Sequence, residues 1–277
     1  MRLTFCRAES IINEMKDEFC KTKYPILLVH GLGMSDRKGR NPRYWGRIPK
    51  ALRACGATVF FGGQDAWGTI EGNAVQLAAS VRRALAETGS DRINLIAHSR
   101  GGLEARYLIS TLGYASRIAS LTMLSTPNGG SRLAETILRI RPGVTIWART
   151  NDAVWKRRGD DAPALLTVGQ QLRRGSMYRF NRDNPDAPGV YYQSWGARLR
   201  QGGVDPIMHL CQCAAHGLQG ESDGLVTPDS ARWGRYRGTL DGVSHQTIVD
   251  SFRRDTPHFR PLVFYIKLVH ELKESGF

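Results

Sequence analysis

The stretch Leu95-Ile96-Ala97-His98-Ser99-Arg100-Gly101-Gly102 decides the fold. An apolar run with the pattern of a buried strand meets a serine between small residues, and a helix starts directly after it. A very tight strand-to-helix turn needs a small residue two positions before the serine and another two after it, since larger side chains there would collide. Ala97 stands where Gly is the commoner choice, and Gly101 fills the second position. The strain of such a turn holds the serine hydroxyl clear of the backbone at the end of the strand. Short patterns of this kind also arise by chance in ordinary turns, so the surrounding chain has to carry the reading.

Upstream, Tyr24-Pro25-Ile26-Leu27-Leu28-Val29-His30 is a continuously apolar strand that stops at Gly31-Leu32-Gly33. Runs of that kind suit strands buried on both faces of a parallel sheet. A helix near 46–55, a strand over 57–61 and a helix over 73–88, closed by Gly89, lead to the strand 92–97. A helix over 101–112 and a strand over 118–125 follow. This alternation predicts an α/β fold with a mostly parallel central sheet and helices on both faces. A helical lead-in over about 8–20, a weaker strand within 189–198 and an amphipathic helix over 256–274 complete the pattern. Residues 131–165 carry no strand signal and read as an inserted flap. With no repeat or low-complexity linker, residues 1–277 are expected to form one domain.

The composition is that of a globular protein, with 41% hydrophobic and 23% charged residues. No stretch approaches the roughly 20 apolar residues that cross a bilayer. The N-terminal MRLTFCRAESIINEMKDEFCKTK has no signal-peptide apolar centre. The chain as written is therefore expected in the cytoplasm, or outside the cell if a leader has been removed. Cys6, Cys20, Cys55, Cys211 and Cys213 are scattered and odd in number, which fits a reducing compartment better than a disulfide framework or a zinc site. The net charge of +14 serves nucleic acid, an anionic membrane surface or solubility. With no helix-turn-helix, RNA-binding aromatic motif or zinc finger, nucleic acid is not an expected partner. Nothing in the sequence bears on oligomeric state.

This alternation with a tight serine turn after a central strand resembles the α/β-hydrolases, whose catalytic residues run nucleophile, acid, histidine along the chain. A serine hydroxyl needs a base to take its proton, and the base needs a carboxylate to orient it. Of the seven histidines, His30, His98, His209 and His216 come too early or precede the best acid. His258 and His270 fall on the expected terminal helix. His245 remains, in the turn-like Asp241-Gly242-Val243-Ser244-His245. Asp223, in Glu221-Ser222-Asp223-Gly224, lies 22 residues before it. Taken singly, Asp223 also reads as an Asp-Gly turn and His245 as a loop histidine. With Ser99 in the right order they form a catalytic candidate set. The backbone N–H groups of Arg100 and of glycine-bracketed Leu32 are the candidate oxyanion donors, and the long cationic Arg100 side chain is expected at the mouth of the pocket, either paired with an acid or facing substrate.

Further segments resemble the bacterial true lipases, the Pseudomonas and Burkholderia triacylglycerol lipases and their relatives. They are YPILLVHGLG at 24–33, Tyr44-Trp45, CGATV at 55–59, INLIAHSRGGLEARYL at 93–108, LSTPNGGSRLAE at 124–135, YQSWG at 192–196, SDGLVTPDSARWG at 222–234 and SHQTIVD at 244–250. The resemblance implies Ser99 as nucleophile, Asp223 as acid, His245 as base, and Leu32 with Arg100 as oxyanion hole. It also implies a lid at 131–165, where Val144, Ile146, Trp147, Val154 and Trp155 sit among basic residues. Such a helix could cover an acyl pocket in water and lie on a lipid–water or anionic membrane interface when open, or pack permanently on the core. Many relatives hold a structural calcium near the catalytic histidine. Here Thr247 and Ser251 replace two expected ligands and Asp205 keeps one, so the site is at most partly present and no cofactor is expected. The zinc of some relatives is unsupported. The implied activity is ester hydrolysis of the lipase type. The alternatives are an esterase or acyltransferase for small soluble esters, or a non-catalytic binding protein on the same fold.

Overall fold

The computed structural model describes residues 18–34, 36, 44–139, 141–200 and 205–277. Of the expected lead-in helix, residues 8–17 lie outside the described residues, and 18–20 form a turn. The described strands are β1 (Ile26–Val29), β2 (Val59–Phe61), β3 (Ile93–His98), β4 (Ile118–Leu124), β5 (Tyr191–Arg198) and β6 (Arg235–Asp241). They form one sheet in the order β2-β1-β3-β4-β5-β6, and every neighbouring pair is parallel.

Alternation along the strands sorts their side chains into two cores. Leu27 and Val29 of β1 join Leu95 and Ala97 of β3 in one core. The helices α2 (Ile70–Thr88) and α3 (Gly101–Ser110) cover that face with Leu77, Val81, Leu108 and Ile109. Ile26, Leu28 and Ile96 point the other way, against α1 (Ile48–Ala54) and the C-terminal helix α10 (Pro261–Glu274). All residues of β1, β3 and β4 are buried, which is why these strands read as unbroken apolar runs rather than alternating ones.

Element ends differ from the sequence reading where caps decide them. The helix expected from 73 starts at Ile70, because the Thr69 hydroxyl accepts the Gly72 N–H. The terminal helix starts at Pro261 rather than 256, since Arg260 before the proline is extended. His258 therefore sits in a loop beside Gly242, not on that helix. Among the described residues, four helices lie between β4 and β5: α4 (Arg132–Arg139), α5 (Arg141–Arg158), α6 (Leu165–Gln171) and α7 (Arg174–Asp183). Two more, α8 (Pro206–Gln219) and α9 (Pro228–Ala231), precede β6. Neither α8 nor β6 was signalled by the sequence. As the last strand of the sheet, β6 is not fully covered, so Arg235-Tyr236-Arg237-Gly238 lacks an apolar run.

The turn after β3 is as tight as its residues imply. Ser99 has φ of 56°, in the left-handed region, and its N–H donates to the Leu124 carbonyl at 2.9 Å. A Cβ on Gly101 would meet the carbonyl oxygens of His30 and Val29. Gly101→Ala is accordingly expected to lower the unfolding free energy by about 1–3 kcal/mol in urea titrations, and an unchanged midpoint would contradict this packing.

Candidate active site

The strand order brings the three candidate residues together at the C-terminal ends of the strands, where open α/β sheets carry their sites. Ser99 follows β3, Asp223 lies in the connection between α8 and α9, and His245 lies in the loop after β6. Ser99 Oγ is 2.9 Å from His245 Nε2, and His245 Nδ1 is 2.7 Å from Asp223 Oδ2. With the imidazole proton on Nδ1, the ring donates to the carboxylate and accepts from the serine hydroxyl. Asp223 is fully buried, and its Oδ1 accepts the N–H groups of Leu225 and Val226 at 3.0 and 2.8 Å. The His245 N–H donates to the Asp223 carbonyl at 2.8 Å, so backbone and side chain share one register.

Gly31 passes so close to this centre that a Cβ would meet the Ser99 Cβ and the Tyr44 hydroxyl. That approach brings Leu32 to the wall of the cavity beside Ser99, with Gly33 at φ of 84° allowing the chain to turn away. The cavity measures about 480 Å³ and is walled chiefly by apolar side chains, among them Leu133, Ile137, Val144, Trp147, Leu166 and Val226. A larger polar hollow of about 720 Å³, beside Arg198, His209 and Asp241, holds none of the candidate residues.

Arg100 corrects one expectation. A side chain at that position would be expected at the pocket mouth, but it is fully buried and pairs with Glu104 one helical turn on, at 2.7 Å. Sequence reasoning passed over this i, i+4 pair, although its spacing is legible. Two further residues were missed. The Tyr44 oxygen accepts the Gly31 N–H at 2.7 Å and shares a hydrogen bond of 2.5 Å with His98 Nδ1. His98 in turn packs its ring 4.5 Å from that of His245. The order filter discarded His98 as a base, which says nothing of its role as a wall.

The residues near His245 do not fit a calcium ion. Asp205 Oδ2 accepts the Ser244 hydroxyl at 2.6 Å and Oδ1 accepts the Met208 N–H at 3.1 Å. The Thr247 hydroxyl is taken by Ser244. No group of three or more metal-ligating side chains occurs among the described residues. The loop after His245 is held instead by Arg47, which donates Nε to Asp250 Oδ2 at 3.0 Å and Nη2 to Asp250 Oδ1 at 2.8 Å, with Asp255 at 3.1 Å.

Three outcomes follow from these contacts. Removing Asp250, whose carboxylate is buried, is expected to cost on the order of 3 kcal/mol in Asp250→Asn by urea titration. Excess chelator is expected to leave the wild-type midpoint in place, and a chelator-induced loss would overturn the Arg47 account. Burial, with His245 and His30 nearby, holds the His98 pKa well below the usual 6.5. The unfolded chain then binds a proton below pH 6.5 that the folded chain refuses, so His98 lowers stability as pH falls from that value. His98→Asn is expected to show a shallower loss of stability between pH 7 and 5, and parallel curves for the two proteins would contradict it.

A family model for the alpha/beta hydrolase fold matches residues 24–153, which contain Ser99 and both oxyanion candidates. Triacylglycerol lipase 2 of Saccharomyces cerevisiae is 29% identical, over 99% of this chain and 85% of its own length. The triacylglycerol lipase of Pseudomonas fragi is also 29% identical, over 94% of this chain and 99% of its own. Among solved structures, a lipase of Bacillus licheniformis superposes with a TM-score of 0.67 at 21% identity, covering 90% of this chain and 92% of its own. A metagenomic carboxyl esterase gives 0.72 at 15% identity, covering 91% and 76%. The solved structures bear on the fold alone, whereas the two full-length relatives also span the segments that carry Asp223 and His245. The chain has the α/β-hydrolase fold and is a serine carboxylic-ester hydrolase similar to the triacylglycerol lipases.

Proposed function

We propose that this enzyme is a lipase that cleaves acylglycerols through an acyl-enzyme on Ser99. His245 takes the serine proton as Oγ attacks the ester carbonyl, and later gives it to the leaving alcohol. Asp223 holds the imidazole with Nδ1 protonated and stabilises the imidazolium that forms. The Leu32 and Arg100 N–H groups receive the oxyanion of the tetrahedral intermediate. Water then attacks the acyl-enzyme with His245 again as base, and the fatty acid leaves.

The observation that carries a lipid substrate is the apolar wall of the 480 Å³ cavity at the serine. An acyl chain is the group such a wall desolvates favourably, at about 25 cal/mol per Å² of apolar surface buried. Exposed apolar residues on α5 and α8, the helices that bring Trp147 and Met208 to the cavity wall, extend this reading. Ile146 and Trp147 on α5 are 69% and 55% exposed, and Ile207 and Leu210 on α8 are 63% and 71% exposed. Arg149, Lys156, Arg157 and Arg158 lie exposed on α5. Apolar tips flanked by cations suit transient contact with a lipid–water or anionic membrane surface, with α4 and α5 as the lid. No helix among the described residues is long and apolar enough to cross a membrane.

The test is hydrolysis of long-chain triacylglycerol emulsions against tributyrin and short p-nitrophenyl esters. Activity on long acyl chains that rises at the oil–water interface is expected, while confinement to short soluble esters would favour an esterase. Ser99→Ala and His245→Ala are each expected to lower kcat by 10⁴-fold or more with folding intact. Near-normal turnover of either variant would refute the assignment.

A further inference from the structure

We infer that the Arg100 side chain is a positioning residue: with Glu104, it sets the spacing between the two backbone N–H groups that receive the oxyanion. This inference rests on the serine-hydrolase reading above. One of those donors is the Arg100 N–H itself, next to Ser99. The other, at Leu32, comes from a separate loop after β1, so something must hold the two loops in register.

The connecting piece is the loop 64–68. The Arg100 guanidinium donates to three of its carbonyls, Gly68 at 2.6 Å, Asp65 at 3.2 Å and Ala66 at 3.4 Å. The same loop grips the chain on both sides of Leu32. The Gly33 N–H donates to the Ala66 carbonyl at 3.0 Å, and Gln64 Nε2 donates to the His30 carbonyl at 3.1 Å. The Ala66 oxygen thus receives one donor from each half of the oxyanion site.

Glu104 closes the arrangement from behind. It lies 2.7 Å from Arg100 Nε, and its oxygens accept Gln64 Nε2 and Asn73 Nδ2, each at 2.8 Å. Asn73 also donates to the Asp65 carbonyl at 2.8 Å. Beyond the loop, Asp160 accepts the N–H groups of Ala66 and Trp67 at 3.1 and 2.9 Å, which ties the same piece to the end of the helical insert.

Stability alone does not account for this pair. An apolar pair of similar volume often holds a core as well as a buried ion pair does. A planar guanidinium, unlike an apolar side chain, can fix several carbonyls of one loop at set angles. Oxyanion binding depends on that kind of placement, because donors act on the position the charged oxygen takes in the transition state.

The test uses the full chain with Arg100→Met/Glu104→Gln, which removes both charges but keeps an acceptor for Gln64 and Asn73, and with Arg100→Lys. Active sites are counted by prolonged labelling with a fluorophosphonate, so that kcat is expressed per competent serine. The double variant is expected to lose about 10²-fold in kcat with KM within about twofold. Its affinity for a boronic acid mimic of the tetrahedral intermediate should fall in parallel. Arg100→Lys keeps the charge without the fork and should lose at least tenfold, again in kcat, and it carries the test if the double variant does not fold. A normal kcat per labelled site, with only fewer sites, would mean a structural role and overturn the inference. Failure of the wild-type enzyme to label at Ser99 would overturn the serine-hydrolase reading instead.

Discussion

The turn at Ser99 constrains everything around it. Its φ of 56° is tolerable because Ser99 is wedged between β3 and α3, with the Leu124 carbonyl holding its N–H. Gly31 on one side and Gly101 on the other have no room for a Cβ. The loop that carries Leu32 can therefore lie against the serine, and α3 can start immediately beneath the β1 carbonyls. Because β1, β3 and β4 are central strands of one parallel sheet, the residues after them emerge at one end. Asp223 and His245 need only arrive at that end by loops, which they do.

Around this turn, polar groups are buried where they connect loops and apolar groups where substrate would lie. The Arg100–Glu104 pair, Gln64 and Asn73 sit behind the elbow without contact with solvent. On the open side the cavity wall is largely aliphatic and aromatic, so the triad faces a medium in which its hydrogen bonds are strong. The loop carrying His245 is held on its far side by the Arg47 fork on Asp250. Fixed charges of opposite sign, each with hydrogen-bond partners, thus hold the loop beside Leu32 and the loop that carries His245.

The site was more legible than its surroundings. Ser99, Asp223 and His245 could be chosen from chain order because hydrogen-bonding chemistry demands those residue types and the fold sets their sequence. The central strands were legible because full burial leaves an unbroken apolar run. The edge strand β6 and the helix α8 were not, since partial exposure permits polar residues that match no simple period. Tyr44 and His98 were hidden for another reason. Their link to Gly31 and to His245 spans up to 147 positions, and no local pattern records such a contact.

By itself, the sequence determined the class of fold, the tight serine turn and a candidate nucleophile, acid and base, because sterics and proton chemistry restrict which residues can serve at those places. Only the tertiary structure decided where the Arg100 side chain goes. A cation next to a nucleophile could equally face substrate, and local sequence does not distinguish the two. The outcome depends on loop 64–68 presenting three carbonyls and on Glu104 standing one turn below, within a volume closed to water. In that enclosed space a guanidinium is held only where every nearby acceptor comes to it, which makes its position a property of the assembled fold.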